Sequence, residues 1–293
     1  MKRQFHVIGA CSCWGAGVCA CEKGPEDLQR SHLIEHLRKK GANIDGIELI
    51  YPDEGAKKVP KAPLQNALKI IEALNRKLAL AVRHAVATQQ FPIVIGGDHS
   101  IAVGTWNGQQ EPFGLIWIDA HMDAHTPETT PSQACHGMPL AALLGYGAPE
   151  MAKLLRKEPV LKPERTVLIG IRSFESEEAA LLKKLGVKIY FIDEVKKRSL
   201  QEIIPEAIEH AAKGTNRFGI SLDLDVFSPD VAPGVDTPVS GGIEKEDLLS
   251  LLASITKDQR LIGFEMVEYN PMRDKAHKTR ALCTEIMEQL VLA

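Results

Sequence analysis

Short apolar runs alternate with longer amphipathic stretches along this chain, and this alternation constrains the fold more than any other feature of the sequence. Eight runs are rich enough in β-branched and aliphatic residues to predict strands. They lie at residues 5–8, 44–50, 93–95, 115–118, 166–169, 187–191, 218–222 and 261–267. Most of these runs are continuously apolar, which is typical of parallel strands that are buried on both faces.

Helical periodicity fills several of the intervals between these runs. The clearest stretch covers residues 64–87, where Leu64, Leu68, Ile71 and Leu78 keep the spacing of an amphipathic helix. Further helices are predicted at residues 175–185, 200–212, 245–255 and 279–292. Alternating strands and helices require crossover connections, so we predict an α/β fold with a mainly parallel sheet covered on both faces. We expect a single domain over residues 1–293, with the Pro-rich segment 52–63 as a surface loop.

Composition excludes several other classes of protein. The chain has 293 residues, of which 44% are hydrophobic and 25% charged, as in ordinary globular proteins. Lys and Arg number 35 against 38 Asp and Glu, a formal charge of −3, so we expect no nucleic-acid partner. Charged residues or histidine interrupt every long apolar stretch, so we also expect no membrane-spanning helix.

The six cysteines are too sparse for a disulfide scaffold, and we therefore expect a reducing cytoplasm as the location. Four of them, Cys11, Cys13, Cys19 and Cys21, lie close together. These could bind zinc or pair oxidatively, but structural zinc sites usually have wider spacing between their cysteines. The sequence favours a packed or reactive loop here.

Ligand-type side chains follow three of the predicted strands. Ligands of open α/β sheets bind beyond the carboxyl ends of the strands, so these positions are candidates for chemistry. Each segment alone has an ordinary alternative: a loop histidine, a solvated acidic loop or a surface turn. The combined set contains four carboxylates and two imidazoles, from His99, Asp119, His121, Asp123, Asp223 and Asp225.

Several carboxylates among apolar neighbours repel one another unless cations compensate them. Four carboxylates balance two divalent cations, and a set with mostly oxygen ligands suits Mn²⁺ better than a structural zinc ion. Two adjacent cations can lower the pKa of water and supply hydroxide as a nucleophile at neutral pH. We therefore predict a two-metal centre.

A fourth strand ends close to Glu268, an acidic residue that the metals do not need. The simplest alternative is a surface salt bridge. In the metal-centre hypothesis, this carboxylate instead receives a cationic substrate.

Together these segments resemble the ureohydrolase family, which includes arginase, agmatinase and formimidoylglutamase. The resemblance covers nearly the whole chain. It depends on four motifs in the family's order: Gly-Gly-Asp98-His99-Ser100, Asp119-Ala-His121-Met-Asp123, Ser221-Leu-Asp223-Leu-Asp225 and Glu268-Tyr-Asn270-Pro271.

The resemblance implies a three-layer α/β fold around an eight-stranded parallel sheet, two Mn²⁺ ions and a homotrimer or homohexamer. The six ligand-type residues would surround the two ions, although the spacing does not say which aspartate bridges them. His136 matches the family's proton-shuttling histidine, and Glu268 would bind the guanidinium group. The implied reaction is hydrolysis of that group to urea and an amine.

Within the family, Glu268-Tyr-Asn270-Pro271 is most like arginase, so L-arginine, which would yield urea and L-ornithine, is the first expected substrate. Gln133, Ala134 and His125 depart from the residues that arginases commonly have at the amino-acid end of the substrate. The remaining candidates for substrate contacts are Ser132, His125 and Glu175. Agmatine, or another ω-guanidino compound without the amino-acid end, is the alternative.

Two rival functions use the same residues. A two-metal phosphoesterase would need Lys or Arg near the ligands to bind phosphate, and none lies adjacent to them in the sequence. A metal-binding scaffold would need neither His136 nor Glu268. Both rivals are therefore disfavoured.

Overall fold

The structure is a computed structural model that describes residues 3–17, 19–53 and 63–292. Within these residues, eight strands form one sheet, which confirms the predicted α/β class. The strands are β1 (Phe5–Ala10), β2 (Ile44–Ile50), β3 (Phe91–Gly96), β4 (Gly114–Ile118), β5 (Thr166–Ile171), β6 (Lys188–Phe191), β7 (Phe218–Asp223) and β8 (Leu261–Val267). Each predicted run overlaps one of them, with ends that differ by at most two residues.

The order of strands across the sheet brings the candidate ligands together. The order is β2-β1-β3-β8-β7-β4-β5-β6, and every neighbouring pair is parallel. The strands β3, β8, β7 and β4 therefore lie side by side at the centre, with their carboxyl ends on one edge. These are the four strands that the predicted metal ligands and Glu268 follow in the sequence.

Helices cover both faces of the sheet and complete three layers. The helices of the described residues are α1 (Gly24–Arg30), α2 (Leu33–Lys39), α3 (Leu64–Ala87), α4 (Ala102–Asn107), α5 (Pro139–Leu143), α6 (Pro149–Ala152), α7 (Ser176–Leu185), α8 (Ile192–Arg198), α9 (Leu200–Ala212), α10 (Lys245–Ile255) and α11 (Lys278–Leu292). Apolar residues of α1, α2 and α8 to α11 share one core, and those of α3, α4, α5 and α7 pack on the opposite face.

Side chains of the central strands alternate between these two faces. In β4, Ile116 and Ile118 belong to one core, whereas Leu115 and Trp117 belong to the other. Because both faces are buried, such strands are continuously apolar in the sequence, and for this reason they could be recognised.

The long predicted helices are confirmed with the same ends or ends that differ by one residue. The six further helices were not predicted from periodicity, and none is longer than seven residues. A helix of two turns or fewer contains too few apolar positions to show a helical period. None of the helices in the described residues is long and apolar enough to cross a membrane. The predicted surface loop at 52–63 lies, apart from its ends, outside the described residues.

The cysteine-rich loop after β1 contains a disulfide between Cys13 and Cys19. Cys11 and Cys21 are buried thiols. Burial raises the pKa of Cys11 to about 12, so this thiol stays protonated and unreactive at neutral pH. Of the alternatives that the sequence left open, oxidative pairing therefore applies to two of the four clustered cysteines.

Candidate metal centre

Two glycines at the end of β3 position His99. A β-carbon on Gly97 would lie 1.8 Å from the carbonyl oxygen of Ser12, so the close approach of the two backbones requires glycine. The Asp98 carboxylate then accepts a hydrogen bond from the backbone N–H of Ser100 at 2.9 Å and caps the short 3-10 helix that begins at His99. These local contacts fix His99 directly beyond the strand.

Other side chains hold the His99 ring in place. The ring stacks on the indole of Trp117, with ring centroids 4.0 Å apart. Nε2 of His99 lies 2.9 Å from Oγ of Ser221, and Ser221 donates its own proton to Glu265 at 2.7 Å. Nε2 is therefore the donor to Ser221, and Nδ1 of the neutral ring keeps its lone pair. Outer contacts of this kind orient metal-binding histidines.

Three carboxylates surround Nδ1 of His99. Its distances are 3.0 Å to Asp123, 3.2 Å to Asp119 and 3.2 Å to Asp223. A lone pair that faces three buried carboxylates is unfavourable without a positive charge between them. Burial lowers the pKa of His99, but the carboxylates outweigh it and raise that pKa well above its ordinary value. A cation, whether a proton or a metal ion, is therefore stabilised at this point.

A second cluster shares Asp119 with the first. Nδ1 of His121 lies 2.9 Å from Asp225 and 3.6 Å from Asp119. The ligand atoms of Asp119, His121 and Asp225 all lie within 4.8 Å of one another, as do those of His99, Asp119 and Asp223. Burial lowers the pKa of His121, but Asp225 and Asp119 raise it to about 12. The geometry thus makes Asp119 the carboxylate that both clusters share, which the sequence left open.

The charge of the combined set fits two divalent cations. Burial raises the pKa of Asp123 and Asp223, and the charges of neighbouring aspartates raise them further. Six side chains with two imidazole nitrogens and four carboxylates suit hard or borderline divalent ions. The buried His/Asp clusters could therefore bind metal, and the structure brings all six predicted ligands to one edge of the sheet.

Glu268 and His136 also meet at this edge. Oε1 of Glu268 accepts a hydrogen bond from the backbone N–H of His99 at 2.8 Å and lies 3.3 Å from Nδ1 of His136. Oε2 of Glu268 is buried and has no hydrogen-bond partner among the described residues. Burial raises the pKa of Glu268. Burial also lowers the pKa of His136, but the contact with Glu268 outweighs this effect and raises it to about 9.

Asp123 and Glu268 share an unusual backbone conformation. Their φ angles are 49° and 68°, in the left-handed region that disfavours residues with a β-carbon. Such positions cost on the order of 1–3 kcal/mol each and tend to occur at functional sites. Strain at both residues fits a site that the surrounding fold holds in place.

A cavity of about 380 Å³ opens onto the two clusters. Its wall includes His136 and the three predicted substrate contacts, Ser132, His125 and Glu175. Nε2 of His125 lies 3.0 Å from Glu175 and 3.4 Å from Glu178. No lysine or arginine of the described chain lines this cavity. The two-metal phosphoesterase therefore gains no support, because phosphate recognition would need such a residue.

Sequence reasoning missed several residues of the site. Glu178 closes a capping box with Glu175 at the start of α7, and this Glu-x-x-Glu spacing was a usable signal. Thr237 donates to Asp225 at 3.0 Å, and its neighbour Asp236 lines the cavity. Both lie in the long loop between β7 and α10, where no periodic pattern indicates a role.

Comparisons with known proteins agree with this geometry. Residues 3–293 match the profile of a family described as "Arginase family". An arginase from Bacillus caldovelox is 38% identical over 294 residues, which cover 98% of each chain. An arginase from Bacillus subtilis is 36% identical over 99% of this chain and 98% of its own.

Solved structures show the same fold. The native structure of the arginase from Bacillus caldovelox at pH 5.6 superposes with a TM-score of 0.92. It is 35% identical in sequence, and the match covers 99% of this chain and 98% of that one. The similarity therefore extends through the whole sheet and both helical layers.

Proposed function

The chain belongs to the arginase family, and from this membership and its metal centre we propose that it hydrolyses L-arginine to urea and L-ornithine. It is accordingly a hydrolase that acts on a guanidino C–N bond. One observation carries the proposal: two buried His/Asp clusters share Asp119 beside a cavity whose wall includes His136. None of the described residues that line the cavity is a lysine or arginine, so a guanidinium group can meet acidic side chains there directly.

We propose that the six ligand-type side chains hold two Mn²⁺ ions. His99 Nδ1 is buried without a hydrogen-bond partner among the described residues, and it faces three carboxylates, so the site accepts a cation. Carboxylate and imidazole ligands suit Mn²⁺. When bound, such a pair lowers the pKa of water and supplies a nucleophile at neutral pH.

Glu268 is proposed to receive the guanidinium group. Its buried Oε2 is unpaired among the described residues, and a guanidinium offers N–H donors in a planar array. The backbone N–H of His99 fixes Oε1, so the free oxygen is held in one orientation. The charged contact both orients the substrate and keeps its cationic form in the site.

His136 is proposed to deliver the proton that the reaction needs. After attack on the central carbon, the departing nitrogen is a very poor leaving group unless it is protonated. The raised pKa of His136, about 9, keeps a proton on this ring at neutral pH. Its side chain is 20% exposed, on the cavity wall, so the proton can be replaced from solvent.

At the other end of the substrate, we propose contacts from Ser132, His125 and Glu175. The Glu175 side chain is half exposed and suits an ammonium group. The absence of lysine and arginine from the described cavity wall leaves a substrate carboxylate without an ion pair. This observation keeps agmatine as a second candidate substrate, because agmatine has the ammonium group but no carboxylate.

We further propose that residues 1–293 act as one domain, that the protein assembles as a homotrimer or homohexamer, and that it works in the cytoplasm. One eight-stranded sheet contributes residues to three of the core clusters, which supports one domain. Light scattering coupled to size-exclusion chromatography measures the assembly directly, and a monomer would contradict this part of the proposal.

Urea release tests the function. Protein reloaded with Mn²⁺ should release urea faster from L-arginine than from agmatine or 4-guanidinobutyrate, whereas faster release from agmatine would favour the second candidate. Glu268→Gln should keep the metal content and lose turnover. Glu246→Gln is the matched control, since the Glu246 side chain on α10 is 79% exposed. No urea from any guanidino compound would refute the proposed function.

A further inference from the structure

A buried carboxylate on the cavity wall has no role in the proposed hydrolysis. Asp236 lines the cavity, and its side chain is only 5% exposed. Its Oδ1 accepts a hydrogen bond from Nδ2 of Asn270 at 2.6 Å and lies 3.2 Å from Nε of Arg273. Its Oδ2 is buried, and no hydrogen-bond donor in the described part of the chain reaches it.

Asp236 lies next to the carboxylate that is proposed to bind the guanidinium group. Ligand atoms of Asp236, Glu268 and Cys21 all lie within 4.8 Å of one another. Oε2 of Glu268 is likewise buried, with no hydrogen-bond partner in the described ranges. Asp236 is part of the cavity wall, whereas Glu268 is not. A cation that entered from the cavity would therefore meet Asp236 as well as Glu268.

Two carboxylates this close together are costly in a buried place. Each buried charged group without a partner loses its hydration, and two like charges also repel. The fold nevertheless holds Asp236 firmly, because Asn270 and Arg273 bind its other oxygen and Asn270 is itself anchored by its backbone N–H to the carbonyl of Gly234 at 2.8 Å. Each carboxylate therefore keeps one buried oxygen without a hydrogen-bond partner among the described residues.

We propose that Asp236 is a second carboxylate of the guanidinium subsite and acts with Glu268 to select planar, multiply donating cations. This inference rests on the proposed function, because it assigns the substrate's reacting end to the same cavity. A guanidinium carries five N–H donors in a fixed plane when one nitrogen is substituted, which is enough to bind two carboxylates at once. A primary ammonium offers a compact charge without that planar array.

A third metal ion is a poorer occupant of this cluster. Its remaining member, Cys21, is buried and directs its thiol toward the carbonyl oxygen of Ser12, 3.8 Å away. Burial, and then the charges of Glu268 and Asp98, raise the pKa of Cys21 well above its ordinary value. A thiol must lose its proton to bind a metal ion, and these surroundings oppose that loss.

The experiment compares wild type with Asp236→Asn, which keeps the size of the side chain and removes its charge. With Mn²⁺-loaded protein, the KM for L-arginine should rise by about 10- to 100-fold, while kcat changes by no more than a few fold. The lost contact is charge-assisted and is made equally in the ground state and the transition state, so its loss weakens substrate binding. The dissociation constant of guanidinium chloride, measured by calorimetry without turnover, should rise by a similar factor. Asp230→Asn is the matched control, because Asp230 is an exposed aspartate in the same loop and does not line the cavity.

Asp236→Gly serves as a second variant, which removes the carboxylate without adding an amide group, and thermal unfolding is measured for both variants. If guanidinium binding to both variants stays within about twofold of wild type, the inference is wrong. If wild type binds guanidinium tightly and the variants bind it weakly, but wild type releases no urea from any guanidino compound, the subsite stands and the proposed function fails. The two failures are thus separate results.

Discussion

The hydroxyl of Ser221 should control metal affinity through its contact with Nε2 of His99, the ring nitrogen opposite the one that faces the carboxylates. In Ser221→Ala, His99 Nε2 loses its acceptor at 2.9 Å and Glu265 loses its donor at 2.7 Å. The hydrogen bond that orients the ring of His99 is then lost, and its tautomer is no longer fixed. Loss of such an outer contact typically weakens metal binding by about 10- to 100-fold, which corresponds to about 1.4–2.7 kcal/mol.

The stacking of His99 on Trp117 limits the loss. Because the two rings are nearly parallel, with 9° between their planes, the indole still restricts the histidine ring after the hydroxyl is removed. We therefore expect weaker binding rather than none. Glu265 keeps a contact with Nε1 of Trp106 at 3.3 Å, so its carboxylate is not left without any donor.

Calorimetric titration of chelator-treated protein with MnCl₂ measures this effect. Ser250→Ala is the control, because Ser250 is an exposed serine on α10. Ser221→Thr retains a hydroxyl and should recover part of the affinity. If Ser221→Ala binds Mn²⁺ within about twofold of wild type while it is fully folded, the outer contact does not act on the metal, and the reasoning fails.

Three further predictions use the same centre. Asp119→Asn should reduce the amount of metal bound at both clusters, whereas Asp225→Asn should reduce it at only one. Elemental analysis of the purified variants gives the number of ions bound per chain. Equal losses of metal in the two variants would contradict a shared Asp119. Gly97→Ala should lower the free energy of unfolding by about 1–3 kcal/mol, because a β-carbon would lie 1.8 Å from the carbonyl oxygen of Ser12. Gly46→Ala is the control and should not lower it, because the space around Gly46 is open. Denaturant unfolding measures both free energies. Without metal, the stability that His136 contributes should be fully present below pH 6.5 and should be lost as the pH rises through about 9, because its folded pKa is raised. Thermal unfolding in the presence of chelator, measured as a function of pH, should show this loss of stability in wild type and not in His136→Asn.

The sheet could be predicted from the sequence because burial on both faces leaves a continuous apolar run at each strand. The 24-residue helix α3 was equally clear, since a long amphipathic stretch repeats its period many times. The short helices α4 and α5 show no such repeat and are fixed by packing between longer elements. Local patterns therefore predicted the layers but not the short connections within them.

The candidate ligands could be predicted for a geometric reason. Carboxyl ends of parallel strands share one edge, so polar residues directly after central strands must come close together. The shared position of Asp119 depends on strand order and on ångström distances, which no spacing in the sequence contains. Asp236 could not be predicted for a similar reason. Its loop is irregular, and only the structure shows that its Oδ2 has no hydrogen-bond partner among the residues described.

The centre of the sheet therefore combines a buried apolar core with residues whose conformation and charge oppose folding. The strands β3, β8, β7 and β4 are almost entirely buried, and the packing on both of their faces stabilises the fold. The same strand ends hold buried carboxylates at close range and two residues with positive φ, all of which oppose folding. A ligand that binds only the folded state adds stability by mass action. Cations at the two clusters and a guanidinium beside Glu268 would each offset part of this cost. The same carboxylates therefore lower the stability of the unliganded fold and bind the ligands.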